Sequence, residues 1–264
     1  MDSTGKRRRA RTGVTMALGA LLAAAPARAQ DVAAIIAQGE RARAALDGTA
    51  ALAAFERGVA LAPGNYAVLW RASREAGELG EIAPAGAQRD TLYARAIRWA
   101  QAAVEAEPAG ADGQAMLAVA LGRSALAMGV RERVRLASDV REAALAALRT
   151  DPDHAAALHV LGAWHAEIMR LPAFARFTAR TFLGGRIFES ASWAEAQRLL
   201  ERAVATDPGR ITHRLNLARI YRDTRQPERA RATCEAVTAM PVVEYHDARY
   251  KRECAALVAA LGAR

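Results

Sequence analysis

The residues best suited to chemistry in this 264-residue chain gather between positions 171 and 192. Four of the five phenylalanines fall there: Phe174, Phe177, Phe182 and Phe188. Arg170, Arg176, Arg180 and Arg186 are interleaved with them. Phe174 and Phe177 stand at helical spacing, and Gly184-Gly185 breaks the element. Such a stretch offers either aromatic plugs for a core or an apolar lip edged with guanidinium groups. The lip would suit an acyl chain with an anionic headgroup, or a peptide. Trp70 and Trp164 are further candidates for contact with a partner, because buried aromatics anchor interfaces; core packing is the other reading of both. This is the chemistry of holding, not of reaction. The five histidines show no His-x3-His spacing, and His154 and His159, five apart, splay around a helix. No glycine-rich phosphate loop occurs, and the serines lack a strand-turn-helix elbow. Carboxylates abound, yet nothing in their spacing pairs them. No catalytic, metal-binding or cofactor-binding set is therefore read, and the chain is not expected to be an enzyme.

The elements that must position these residues are helical. Apolar residues make up 52% of the chain and aromatics only 5%, while Ala alone supplies about a quarter. Sheets favour β-branched and aromatic residues, so a sandwich or barrel is excluded. Two cysteines exclude a disulfide scaffold or a cysteine-rich zinc fold. The net charge of +9 shrinks on inspection. Residues 1–29 carry Lys6, Arg7, Arg8, Arg9, Arg11 and Arg28 against Asp2, and the remainder holds a surplus of only +4. A mild surplus spread over helix faces does not indicate a nucleic-acid partner. The run Arg131-Glu132-Arg133-Val134-Arg135 reads as a solvated face with helical ion pairs.

Residues 1–29 read as a secretory signal peptide. The basic stretch from Lys6 to Arg11 precedes an apolar run over 13–25, followed by Ala27-Arg28-Ala29. This is the n-region, h-region and A-x-A order of an export signal. The apolar run is too short to remain as a spanning helix, so no stable transmembrane anchor is expected after cleavage behind Ala29. A periplasmic or secreted location follows; a cytoplasmic one is the alternative if the N-terminus is not a signal. The functional domain would then be 30–264.

That domain repeats itself. Five segments share one helical pattern closed by proline. They are Ala51-x3-Phe55-x2-Gly58-x4-Pro63, Ala96-x3-Ala100-x2-Ala103-x4-Pro108, Val140-x3-Ala144-x2-Ala147-x4-Pro152 and Ala196-x3-Leu200-x2-Ala203-x4-Pro208. The fifth, Ala230-x3-Cys234-x2-Val237-x3-Pro241, is one residue shorter. Residues at i, i+4 and i+7 lie on one helix face. Small side chains there let a neighbouring helix approach, and proline cannot continue the helix. Another amphipathic segment precedes each, as at 155–169 and 212–222. Paired helices of this kind bury their faces only by stacking on further pairs. The spacing is the tetratricopeptide pattern, with extra residues expected between paired helices at 77–89, 129–138 and 171–192. The fold expected is an all-α, tetratricopeptide-like α-solenoid of about five helix pairs plus a C-terminal capping helix.

The chain also resembles the regulator of microtubule dynamics family, a group of divergent tetratricopeptide-like proteins, as an exported bacterial member. The likeness is carried by Ala67-Val68-Leu69-Trp70-Arg71, Leu161-Gly162-Ala163-Trp164-His165 and Phe182-Leu183-Gly184-Gly185. Ala203-Val204-Ala205-Thr206-Asp207-Pro208, Met240-Pro241-Val242 and Asp247-Ala248-Arg249-Tyr250-Lys251-Arg252-Glu253 extend it over roughly residues 32–262. The resemblance implies all-α repeats with an interaction role, microtubule association in animal members, and lipid transfer at membrane contacts for at least one. An exported protein meets no microtubules. The expected function is a non-catalytic scaffold holding a protein or peptide in its superhelical groove. The alternative is a lipid-binding or lipid-transfer protein in which the 171–192 stretch takes a phospholipid.

Cys234 and Cys254 each lie ten residues from Glu244. Two antiparallel helices folded about the turn near Pro241 would set them at similar heights, where either a disulfide or two buried thiols fits. The export reading has a direct test. N-terminal sequencing of the protein recovered from its native host should begin at Gln30; a mature chain that still begins at Met1 or Asp2 overturns it.

Overall fold

The structure, a computed structural model, describes residues 17–128, 130–172 and 186–262, with side chains from residue 29 onward apart from 130, 186 and 187. It is helical throughout, with no strand among the described residues. Helices α1 (Ala17–Ala44) and α2 (Gly48–Leu61) form the first hairpin, α3 (Tyr66–Ile82) and α4 (Ala87–Ala106) the second, and α5 (Ala111–Ala127) and α6 (Val130–Thr150) the third. The fourth hairpin pairs α7 (Ala155–Arg170) with α9 (Trp193–Thr206), the short α8 (Arg186–Glu189) lying between them in the chain. The fifth is α10 (Ile211–Asp223) with α11 (Pro227–Thr238), and α12 (Asp247–Gly262) follows as the terminal helix. This is the solenoid that the repeat spacing predicts.

The five proline-closed motifs explain why the hairpins stack. Every motif residue from Ala51 to Val237 ahead of its proline is buried, and most have no exposed surface at all. The second helix of each pair thus presents its small-residue stripe to the next pair. Prolines 63, 108, 152 and 208 each stand two residues past the helix that they end. The following helix starts on a side-chain cap where one is present: Asn65 accepts from the Val68 amide at 3.1 Å. Ser192 does the same for Glu195 at 3.1 Å.

Two of the expected insertions are corrected by the structure. Residues 77–89 and 129–138 are not loops between paired helices. The extra residues lengthen α3 and α4, and α6 absorbs nearly all of the second stretch. The long helices stay close because small residues face the contacts. A Cβ on Gly77 would lie 3.2 Å from the Arg123 guanidinium, and one on Gly80 would lie 2.8 Å from the Tyr93 ring. The 171–192 stretch lies mostly outside the described residues. Its described end, with Phe188 buried, packs into a cluster with Trp164, Ile168 and Leu171.

The solenoid also returns on itself. The segment from Glu244 to Tyr250 packs against α1 and α3, some 170 residues earlier in the chain. Tyr245 rests over Gly48, where a Cβ would lie 3.1 Å from its ring. The first two hairpins therefore meet the segment that follows the fifth, and the stack curves around a central space. Among the described side chains of α1 the first buried one is Val32, and Gly39 sits under the Phe55 ring.

Within the fourth hairpin Gly162 on α7 sits close against α9, where a Cβ would lie 2.9 Å from Leu200 Cγ and 3.2 Å from the Ala196 carbonyl oxygen. Gly162→Val should lower stability by roughly 1–3 kcal/mol through overpacking. Urea unfolding followed by circular dichroism reads this as an earlier midpoint with native helix content retained.

Candidate functional site

The central space is a half-open cavity of about 610 Å³, within the range of ligand pockets. Its wall comes chiefly from the first helices of the second to fifth hairpins, α3, α5, α7 and α10, with α12 closing one side. Met116, Val119, Leu126, Val160, Ala163 and Ile168 make an apolar surface. Arg123, His159, Arg210, Asn216, Arg219 and Glu253 add a polar surface to the same lining. The alternation follows from helix periodicity: each first helix turns one face to its stacked neighbours and another to the interior.

The polar side is built on α3. Glu75, Glu78 and Glu81 recur every three residues and share one helix face. Left alone, three carboxylates so placed would repel one another. Cations from other elements resolve this. Arg43 of α1 donates to Glu75 at 2.6 Å and also pairs with Glu244. Arg123 of α5 lies 3.0 Å from Glu78 and 3.2 Å from Glu81. His246 Nε2 sits 2.9 Å from Glu78, and Arg249 pairs with Glu81. Tyr245 donates to Glu75 at 2.8 Å and Tyr250 to Glu81 at 2.6 Å. Burial alone would raise the Glu78 carboxyl, but Arg123, then His246 and Arg43, hold it well below the usual range. Glu81 is likewise lowered against its burial, by Arg123 first.

A histidine pair faces the same cavity. Arg219 Nη1 donates to Asn216 Oδ1 at 3.1 Å, which turns the Asn216 amide nitrogen to His159 Nε2, also at 3.1 Å. His159 Nε2 therefore accepts, its proton sits on Nδ1, and that proton is donated to His213 Nδ1, 2.5 Å away. Burial, helped by Arg123 and Arg210, pushes His159 down to about 4. Burial and the His159 neighbour push His213 down to about 2. Both imidazoles are neutral near pH 7. No third ligand joins them: among the described residues no cluster of three or more His, Cys, Asp or Glu could hold a metal.

The sequence-derived candidates fall in different places. Trp164 borders the cavity but is spent in the core, its indole N–H donating to the Ala137 carbonyl at 2.7 Å. Trp70 lies outside the cavity wall, with the Arg71 guanidinium 4.0 Å above its ring. Phe188 is core. Phe174, Arg176, Phe177, Arg180 and Phe182 lie outside the described residues, as does the side chain of Arg186. Arg135 pairs with Glu132 at 2.7 Å, as the solvated-face reading expects. Cys234 and Cys254 are both buried, side by side on α11 and α12. Sequence reasoning missed the Glu75, Glu78 and Glu81 triad and the His159–His213 pair. The triad had a signal, carboxylates at threefold spacing on an apolar helix; the histidines, 54 residues apart, had none.

The pair makes a prediction about pH. Both imidazoles stay neutral in the fold, but in the unfolded chain each takes up a proton near pH 6.5. Below that pH the unfolded state binds more protons, so stability falls as pH drops from about 6.5 towards 4. Each group contributes up to about 1.4 kcal/mol per pH unit. Urea titrations from pH 7.5 to 5 should show this slope reduced in the His159→Gln/His213→Gln variant. The Glu78 and Glu81 contribution runs in the same direction in a lower window, present above about pH 4.5 and lost below it.

With this geometry in hand, comparison with known proteins fixes the architecture. A thermophilic TPR protein of Thermus thermophilus superposes with a TM-score of 0.63 at 19% identity, covering 86% of this chain and 99% of that one. PilF of Pseudomonas aeruginosa gives 0.53 at 11% identity, covering 89% and 90%. Likeness at this identity shows the tetratricopeptide fold alone. No curated protein sequence matches the chain at a significant level. The family model described as regulator of microtubule dynamics protein 1-3 matches residues 35–262, nearly all of the repeat domain. The chain therefore belongs to the regulator of microtubule dynamics protein 1-3 family.

Proposed function

We propose that this protein is a non-catalytic helical-repeat scaffold, exported from the cytoplasm, that holds a protein or peptide partner in its central cavity. The observation that carries the reading is the cavity itself: about 610 Å³ of half-open space in the stack, lined by apolar residues together with arginines and carboxylates. A space of that size fits a short peptide segment or a few side chains, not a folded domain. Its lining, among the described residues, offers arginines, carboxylates and two neutral imidazoles but no serine, cysteine or lysine nucleophile. An apolar contact surface is thus turned inward, where a partner would be desolvated and aligned by the polar groups of the same lining. The N-terminal pattern supports work outside the cytoplasm, which directs the reading to an envelope or secreted partner in place of tubulin. Among the described residues no helix is long and apolar enough to cross a membrane.

The test fills the cavity. Ala163, half-buried on α7, lines it. The full chain is recovered from its native envelope and assayed for bound protein and lipid together. A stoichiometric partner should be retained by the parent and lost at least tenfold by Ala163→Trp, with an unchanged melting curve. Retention of the partner by the variant removes the cavity as its site. Co-purified phospholipid displaced by the same substitution replaces the peptide reading with the lipid one.

A further inference from the structure

The two cysteines take no part in the cavity wall. Cys234 projects from α11 and Cys254 from the antiparallel α12, and each is about 1% exposed. Their sulfurs lie 2.6 Å apart. Bonded sulfurs stand about 2.05 Å apart, so a bond asks for about half an ångström of approach. Apolar neighbours surround them: Ile211, Leu215, Val237 and Leu257 belong to the same buried cluster. Among the described residues no third ligand accompanies them that would make the pair a metal site.

We infer that Cys234 and Cys254 are the site of an intrachain disulfide that pins α12 to the fifth hairpin. The oxidant is a disulfide donor, either a thiol–disulfide oxidoreductase or oxidised glutathione. The Cys234 thiolate attacks a donor sulfur, the donor S–S bond breaks, and one donor thiolate leaves. Cys254 then loses its proton and attacks Cys234 Sγ, and the second donor thiolate leaves. Two protein thiols are oxidised and the donor is reduced by the same two electrons. The steps balance equally with the two cysteines exchanged. Both sulfurs are closed to solvent in the folded chain, so the exchange happens before α12 docks.

Pinning α12 has a structural consequence. This helix carries Arg249 and Tyr250 to Glu81, so the bond makes closure of the stack covalent at one remove. None of this depends on what occupies the cavity.

The experiment refolds the full chain from guanidinium with a reduced and oxidised glutathione mixture, so that burial cannot hide the thiols. The product is unfolded again, labelled with N-ethylmaleimide and weighed. The chain has only two cysteines, so an unlabelled monomer, two hydrogens lighter than the reduced chain, identifies this pair. Its melting point should rise by roughly 5 °C or more over the reduced form. Cys254→Ser should take one label and show no such rise. Two labels on the refolded parent, or a disulfide-linked dimer, overturn the bond; an intrachain bond with no change in melting point overturns the pinning role.

Discussion

Closure of this stack depends on three carboxylates on one face of α3. Glu75, Glu78 and Glu81 would repel each other and resist burial unless opposite charge were brought to them. The cations and hydroxyls that do so come from α1, α5, the 244–246 turn and α12. Most lie on the far side of the solenoid in sequence. An ordinary solenoid needs only neighbour-to-neighbour contacts, each hairpin resting on the next. Here the ends are joined by charge, and a partly buried pair loses far more when one member is removed than a surface pair does. The cavity exists because that junction holds.

Between the ends, small side chains set the spacing. Alanines on the second helices and glycines on the first let backbones come close, so the stack tightens without large residues in every layer. Gly162 under Leu200 and Gly77 under the Arg123 guanidinium show two versions of the rule. One makes room for an aliphatic contact. The other makes room for the cation that neutralises α3. Packing and electrostatics are thus served by the same residue type, and the abundance of alanine follows from the architecture.

The cavity's chemistry is that of a surface that sorts what enters it. Its apolar residues come chiefly from α5 and α7, its polar ones from α3, α5, α7, α10 and α12. The neutral His159–His213 pair adds hydrogen-bonding capacity without charge, because burial keeps both imidazoles deprotonated. Most of the arginines that line the space already hold carboxylates, so a newcomer meets an organised network and not free positive charge. Family membership agrees with this architecture and leaves the partner to experiment.

Much of this was legible beforehand, and the parts that were not share a cause. The five proline-closed motifs named the buried stripes residue by residue, because helix periodicity and the proline block are local effects. The cysteines could be matched in height from their distance to one turn, again a local measure. The stretches at 77–89 and 129–138 were read as insertions between helices, since glycines and a longer spacing look like loops; neighbouring hairpins instead support them as extra helical turns. Trp164 admits two readings in the sequence, partner contact or core packing, and an indole partner 27 residues away decides for the core. The order of residues along the chain was enough to give the helices, their pairing and their small-residue faces. Three features emerged only once the chain was folded: the two ends meet, the carboxylates that looked unpaired are matched, and a cavity lies between. Those contacts join residues as far as 201 positions apart, a distance that no local period can relate.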